Sequence, residues 1–310
     1  MRAYAVQSAG EQPATHDLEV PEPDRGEVRV RVVAASVNGF DLAVAAGYMA
    51  GFFEHRYPVV LGREFAGIVD GIGPDVDTLV IGDRVLGVVS KPHLHDGAFA
   101  EYTTAVAESS VVRTPEGMTD AAAAGLGHTG STALIILASL GDVAGQKILV
   151  VGATGGVGTI FTQLAAAMGA EVIATGRTEE GRSLMAELGA AHTVDYADLD
   201  AEVRAIAPDG VDAVVHLIGD AASLAPLVRD GGMFVSTLLY APEMFPDPER
   251  LTPAPIAGFP SGDGLRLLTG MVDDGRLRVI IDREVEFDEI GDAFAAYGRE
   301  TIGNIVVRIG

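Results

Sequence analysis

Cysteine is absent from all 310 residues. That absence excludes disulfides, iron–sulfur clusters, thiolate zinc sites and cysteine nucleophiles. It also fits a cytoplasmic setting. Lysine is almost absent, at Lys91 and Lys147 only, so the positive charge is carried by arginine. Basic residues number 21 against 44 acidic ones, for a formal net charge of −23. An acidic surface of that kind repels nucleic acid and anionic membranes, and neither is expected as a partner. Long apolar runs are missing too. The most apolar stretch, "TALIILASLG", is too short to span a bilayer. The opening "MRAYAVQSAG" has no apolar core of the kind a signal peptide carries. What remains is a soluble chain handling small molecules, with 48% hydrophobic residues from which to build a sizeable core.

Two textures divide the chain. Up to about residue 120, short β-branched runs alternate with Gly, Pro and Asp, as in "GEVRVRVVAASV", "FAGIVDGIG" and "IGDRVLGVV". Period-two alternation predicts antiparallel strands in a barrel-like domain. From about 121, "DAAAAGLGHTGSTALIILASLG" predicts a helix with a glycine break. After it, apolar strands ("KILVVG", "EVIATG", "VDAVVHLIG", "GMFVST") alternate with helical segments, among them "AASLAPLVRDG". Continuous apolar strands between amphipathic helices predict a parallel sheet covered on both faces. The proline-dense segment 240–262 reads as an irregular connection, and the β-rich tail after it as a return to the first domain. The expected fold class is α/β, with a β-barrel domain at 1–122 and 259–310 and a doubly wound Rossmann domain at 123–258.

"GATGGVG", residues 152–158, follows a predicted strand and opens a predicted helix. The dinucleotide fingerprint needs a tight turn, a close approach for pyrophosphate, and tight helix–strand packing. Ala153, Gly155 and Gly158 stand in those three places. Thr154, Gly156 and Val157 complete the loop, and the helix start offers free amides to phosphate. No Lys-Ser/Thr pair follows, which rules out a P-loop. An NAD site places an acid at the end of the second strand to hold the ribose hydroxyls. Here "ATGRT" puts Gly176 in that place, followed by Arg177 and Thr178. A cation without a carboxylate favours the 2′-phosphate, so NADPH is the expected cofactor. Arg182 is either a further contact or a surface residue. Ligands of such sheets lie beyond the carboxyl ends of the strands, which are here Gly152, Thr175–Arg177, Tyr196, Ile218–Gly219 and Thr237–Tyr240.

With these motifs in order, the chain resembles the medium-chain dehydrogenase/reductase superfamily, in its zinc-free, quinone-oxidoreductase-like branch. The likeness runs end to end: "MRAYAV", "EVRVRVVAASVNGFDLAVAAGY", "YPVVLGREFAGIV", "IGDRVLG", "GGVG", "ELGAAHTVDY" and "GNIVVRI". It implies a GroES-like β domain, a Rossmann domain and a homodimer. Zinc-dependent relatives carry Cys near position 38 and His in a Gly-His-Glu triplet. This chain has Asn38 and Arg63 there, and a guanidinium stays protonated and cannot ligate a metal. No metal is expected. His93 and His95 form an isolated loop pair.

The resemblance also implies site roles. Asn38 is expected near the nicotinamide ribose and substrate, and Tyr48 near the reacting carbonyl. These two are the catalytic candidates, with solvent as the alternative proton source to Tyr48. Tyr196 is expected near the adenosine phosphate, with Leu238, Leu239 and Tyr240 near the nicotinamide. Thr129 is expected at the nicotinamide end, and Asn304 stands where many relatives have Lys. Asp41 is expected to cap a short helix and Glu64 to pair internally, an arginine being one candidate. His128 is either a proton donor or a satisfied buried residue. Phe52 and Phe53 suggest an apolar ligand or a packing contact. The resulting expectation is a metal-free, NADPH-dependent reductase of quinones or α,β-unsaturated carbonyls. An enoyl-thioester or natural-product ene reductase and a non-catalytic NADPH-binding protein are the alternatives.

Overall fold

A computed structural model describes residues 1–256, 259–299 and 301–310. The chain divides into two compact units, Met1–Ser131 with Phe259–Gly310, and Thr132–Gly258. The expected boundary at 258/259 abuts residues 257 and 258, which lie outside the described residues.

The first unit is β-rich. Its main sheet has seven strands, six of them in the order Val111–Arg113, Arg84–Val88, Glu64–Ile72, Glu27–Ser36, Asn304–Arg308, Ile281–Glu286. The seventh, Tyr102–Val106, also pairs with Glu27–Ser36. Pairing is antiparallel except between Ile281–Glu286 and Asn304–Arg308. The alternation in "EVRVRVV" works as the pattern predicts: Val28, Val30 and Val32 are buried with Phe65, Phe99 and Val307 in the core. Two registers here position a site. Ser36 lies opposite Glu64 on one side and opposite Val306 on the other. In an antiparallel ladder a step of two residues past Ser36 is matched by a step of two before Val306. Asn38 and Asn304 are therefore brought to the same end of the sheet as Glu64.

The second unit is a six-stranded parallel sheet. Its order is His192–Asp195, Glu171–Gly176, Lys147–Val151, Val211–His216, Val228–Ser236, Thr252–Pro255. This is the doubly wound arrangement, with its switch point between Lys147–Val151 and Val211–His216, where such sheets bind their ligands. Leu149, Val151, Ile173, Val214 and Phe234 form its buried centre.

Two segments differ from the sequence reading. "AASLAPLVRDG" is only a short helix, Ala221–Leu224, and a 3-10 turn, Ala225–Leu227. Pro226 lacks an amide proton and cannot carry the helix on, and a strand starts at Val228. The proline-dense connection contains the sheet's sixth strand, Thr252–Pro255. Prolines are tolerated there because it is an edge strand.

Candidate active site

In the β-rich unit a buried polar network forms where the registers converge. Glu64 is fully buried and accepts four hydrogen bonds. Oε1 takes the Asn38 amide at 2.9 Å and the Thr129 hydroxyl at 2.8 Å. Oε2 takes the backbone amides of His128 at 2.7 Å and Thr129 at 3.3 Å. Those amides open the helix Gly127–Leu140, where first-turn N–H groups lack intrahelical acceptors. A carboxylate is the one side chain that accepts on both ends, so it suits a position ringed by donors. Burial pushes the Glu64 carboxyl up, and the bonds from Asn38, Thr129 and His128 pull against that. Among the described residues no arginine pairs with it.

Asn38 is buried, and its amide nitrogen is committed twice, to Glu64 and to the Ser36 carbonyl at 3.2 Å. It precedes the short helix Gly39–Ala45. Asp41 turns back to accept the Asn38 backbone amide at 2.8 Å, which is the capping role expected of it. Asp41 is 2% exposed, and burial raises its carboxyl to about 7. The Glu64 charge adds to that shift, while the Asn38 bond and the Arg63 charge oppose it.

Thr129 and Asn304 are sealed in the same network. Their oxygens lie 3.5 Å apart, and the Asn304 side-chain amide donates to the Ile280 carbonyl at 3.0 Å. His128 lies against Phe40, with ring centroids 6.3 Å apart. Burial and the nearby Arg63 charge lower its pKa to about 3, so the ring is neutral. Tyr48 stands outside the network, on a turn past the short helix, and is 73% exposed. Of the two phenylalanines after it, Phe53 packs edge-on against Phe40 at 5.7 Å, and Phe52 is exposed.

In the second unit the glycine loop is built for close approach. Gly152 has φ of +93°, a left-handed turn that favours glycine. A Cβ on Gly158 would lie 2.6 Å from the Ala153 Cα, so only glycine lets the helix Gly156–Ala167 seat against the loop. Ala153 is buried beneath it, while Thr154, Gly155, Gly156 and Val157 are half-buried. The first intrahelical bond runs from the Thr159 amide to the Gly155 carbonyl at 2.9 Å. The amides of residues 156–158 precede that bond and so have no intrahelical acceptor, and the first turn holds no acidic residue. Thr175 secures the loop from the next strand: its hydroxyl accepts the Gly152 amide at 3.0 Å.

At the end of that strand, Gly176 makes room for Arg182, whose Cγ a Cβ there would meet at 2.8 Å. Arg182 bonds the Gly176 carbonyl at 3.1 Å and pairs with Asp195 at 2.8 Å. Thr178 caps the following helix, accepting from Gly181 at 3.1 Å. Arg177 is exposed, with its guanidinium 5.3 Å from the Tyr196 ring centre. Tyr196 in turn reaches over to Gly219.

One device here was not singled out from the sequence. His216, 1% exposed, stands between Ser236 at 3.0 Å and the Gly219 carbonyl at 3.1 Å. A carbonyl only accepts, which assigns the proton to Nε2 and leaves Nδ1 to accept the Ser236 hydroxyl. The same hydroxyl oxygen accepts the amides of Leu238 and Leu239, at 3.0 and 3.1 Å. The loops carrying Ile218–Gly219 and Leu238–Tyr240 are thus held by one buried pair. The only signal in the sequence is a lone histidine ending an apolar strand.

Comparison with known proteins agrees with both units. Residues 24–116 match the model of the alcohol dehydrogenase GroES-like domain, and residues 156–248 that of the zinc-binding dehydrogenase. An NADPH-dependent alkenal/one oxidoreductase of Arabidopsis thaliana is 31% identical over 287 residues, covering 90% of this chain and 71% of that protein. A mycocerosic acid synthase-like polyketide synthase of Mycobacterium tuberculosis is 38% identical over 220 residues. That match covers 69% of this chain and only 10% of the synthase. Among solved structures, the quinone oxidoreductase from Coxiella burnetii superposes with a TM-score of 0.88 at 25% identity, over 100% of this chain and 99% of that one.

Proposed function

The chain belongs to the medium-chain dehydrogenase/reductase superfamily of oxidoreductases, and on that premise we propose that it is an NADPH-dependent, metal-free reductase of quinones or α,β-unsaturated carbonyls. The observation that carries this reading is the end of the strand Glu171–Gly176. Gly176 stands at the strand end where an NAD site places its acid, Asp195 is held by Arg182, and Arg177 lies open on the Tyr196 ring, with Glu179 coming only after the turn. A cation and an aromatic face, with no carboxylate at the strand end itself, suit a 2′-phosphate and its adenosine. The name of the Arabidopsis relative, NADPH-dependent, supports the same choice.

The bound cofactor supplies a hydride, and the protein supplies orientation and polarity. Ala153, Thr154, Gly155, Gly156 and Val157 form the cradle for pyrophosphate. Gly176, Arg177, Thr178 and Tyr196 surround the adenosine phosphate. Ile218, Gly219, Leu238, Leu239 and Tyr240 line the nicotinamide end, held in place by His216 and Ser236. In the β-rich unit Asn38 acts through its backing, because both of its side-chain donors are engaged. Together with Thr129 and Asn304 it fixes the geometry around Glu64. Tyr48, with an open phenol, is assigned to proton delivery. Zinc does not fit the donor set: Asn38 and Arg63 replace its ligands, and Arg63 is a buried cation. No group of three or more His, Cys, Asp or Glu among the described residues could hold a metal.

A second reading, reduction of an enoyl thioester, is favoured by the 38% identity to the polyketide synthase. The test is loss of NADPH absorbance on mixing the protein with a panel of enones, quinones and enoyl thioesters. Turnover with NADPH should exceed that with NADH, and Arg177→Ala should cut the preference by about tenfold, ~1.4 kcal/mol. Binding of NADPH without turnover of any panel member would leave only the non-catalytic alternative. A preference for NADH would overturn the cofactor assignment.

A further inference from the structure

Ser236 is 1% exposed, and its hydroxyl is used to capacity. A hydroxyl has one proton to donate and two lone pairs with which to accept. The lone pairs are taken by the backbone amides of Leu238 and Leu239, at 3.0 and 3.1 Å. The proton goes to Nδ1 of His216 at 3.0 Å. The far side of the ring forces that direction, because Nε2 meets the Gly219 carbonyl at 3.1 Å and must carry the ring's proton. His216 is also 1% exposed, so bulk water replaces no partner at either residue.

A second proton on the ring upsets this count. It can only go to Nδ1, which then points an N–H at the Ser236 oxygen. Three donors now face two lone pairs, and the hydroxyl proton has lost its acceptor. One of the loop amides has to let go. Nothing else around the ring relieves the conflict. The Phe234 ring meets it edge-on at 5.6 Å. Among the described residues the strands on either side bring no charge to it, and the one charge that acts on it is Asp220, from its own loop. Asp220 and the Gly219 carbonyl favour the added proton, and burial opposes it more strongly. The ring is therefore neutral at pH 6.5, its ordinary value, and takes the proton only below it.

We propose that His216 and Ser236 form a proton-operated latch on the loop Leu238–Tyr240: a neutral ring holds the loop in its binding shape, and a proton on the ring loosens the loop and its hold on the cofactor. Ser236 is the positioning residue, since it touches the loop backbone, and His216 acts through it. The inference rests on the reductase reading for what the loop binds, but not for the loop's response to the proton. Linkage makes the effect reciprocal. A protonated ring that weakens NADPH binding about tenfold requires bound NADPH to lower the His216 pKa by about one unit.

Two measurements on the full chain test it. The first is NADPH affinity, read by cofactor fluorescence from about pH 8 down to the onset of acid unfolding, for wild type and His216→Asn. Asparagine can accept from Ser236 in the place of Nδ1 but takes up no proton. Protonation of the cofactor's own phosphate is common to both proteins and cancels in their ratio. On the acid side wild type should lose about tenfold in affinity relative to the variant. The second uses wild type alone, without cofactor, and so stands even if His216→Asn does not fold. Amide hydrogen exchange, corrected for the intrinsic rate at each pH, should show protection at Leu238 and Leu239 falling about tenfold as the His216 ring resonances titrate. Protection at Thr159, in the helix after the glycine loop, should hold over the same range. A constant affinity ratio, or loop protection that persists until the chain unfolds, would overturn the inference. Failure of the reductase reading looks different: the loop amides follow the ring's titration, but no enone or quinone oxidises NADPH.

Discussion

Asp41→Asn should remove a penalty that the wild-type protein carries in alkali. Asp41 is 2% exposed, and burial moves its carboxyl from an ordinary 3.8 to about 7. The folded state therefore holds a proton that the unfolded state releases between those two values. Stability from this group is greatest at low pH, falls as pH rises from 3.8, and levels off above about 7. Part of that fall is already spent at pH 5. From about pH 5 to pH 9 the remaining loss is about 2.5 kcal/mol for this one group. Asparagine keeps an oxygen for the Asn38 amide but cannot ionise. Every other titrating group is common to both proteins, so it cancels in the difference between variant and wild type. Urea unfolding at the two pH values should show that difference shifting in the variant's favour by about 2.5 kcal/mol on going to pH 9. A difference constant to within about 0.5 kcal/mol would refute the reasoning. It would mean that Asp41 is ionised throughout and serves as the counter-ion of Arg63.

Gly158→Ala should lower the melting temperature and weaken NADPH binding, because its Cβ would press on the Ala153 backbone at 2.6 Å. The expected cost of such overpacking is about 1–3 kcal/mol, read by thermal melts with and without cofactor; unchanged melts would show that the helix can move off the loop. His216→Phe should cost about 1–3 kcal/mol by leaving the Ser236 hydroxyl and the Gly219 carbonyl unpaired. It should also flatten the acid side of the stability curve. Burial lowers the His216 pKa from 6.5, so its contribution is complete above 6.5 and is lost as pH falls through the lowered value. Unfolding curves at several pH values below 6.5 check both effects, and parallel curves for variant and wild type would remove His216 from the account.

Most of the Rossmann-like unit could be read from its strands, because each is apolar along its whole length and is followed by a recognisable breaker. "GATGGVG" was legible for the same reason: a strand before it and a helix after it leave the glycines one geometry. The strand Thr252–Pro255 was hidden because its prolines read locally as a loop, and only its place at the sheet edge makes them acceptable. Asn38, Glu64, Thr129 and Asn304 were each singled out, but their convergence depends on ladder registers that bring together residues up to 266 positions apart. The His216–Ser236 pair likewise spans 20 residues and two strands.

The same edge strand bears on how copies of the chain could associate. Along a strand the backbone N–H groups point alternately to either side. The Ile256 amide points inward, to the Ser236 carbonyl at 2.8 Å, so the amides of Thr252 and Ala254 point inward as well. The outward positions are Pro253 and Pro255, which have no amide proton. Their carbonyls remain, so this stretch of edge accepts hydrogen bonds but cannot donate any. Two copies meeting through it would set acceptor against acceptor along the whole contact. Continuing the parallel sheet across a twofold axis is therefore disfavoured by the backbone itself, whatever the side chains offer. In this chain the prolines that disguise the strand in the sequence are the feature that closes its edge.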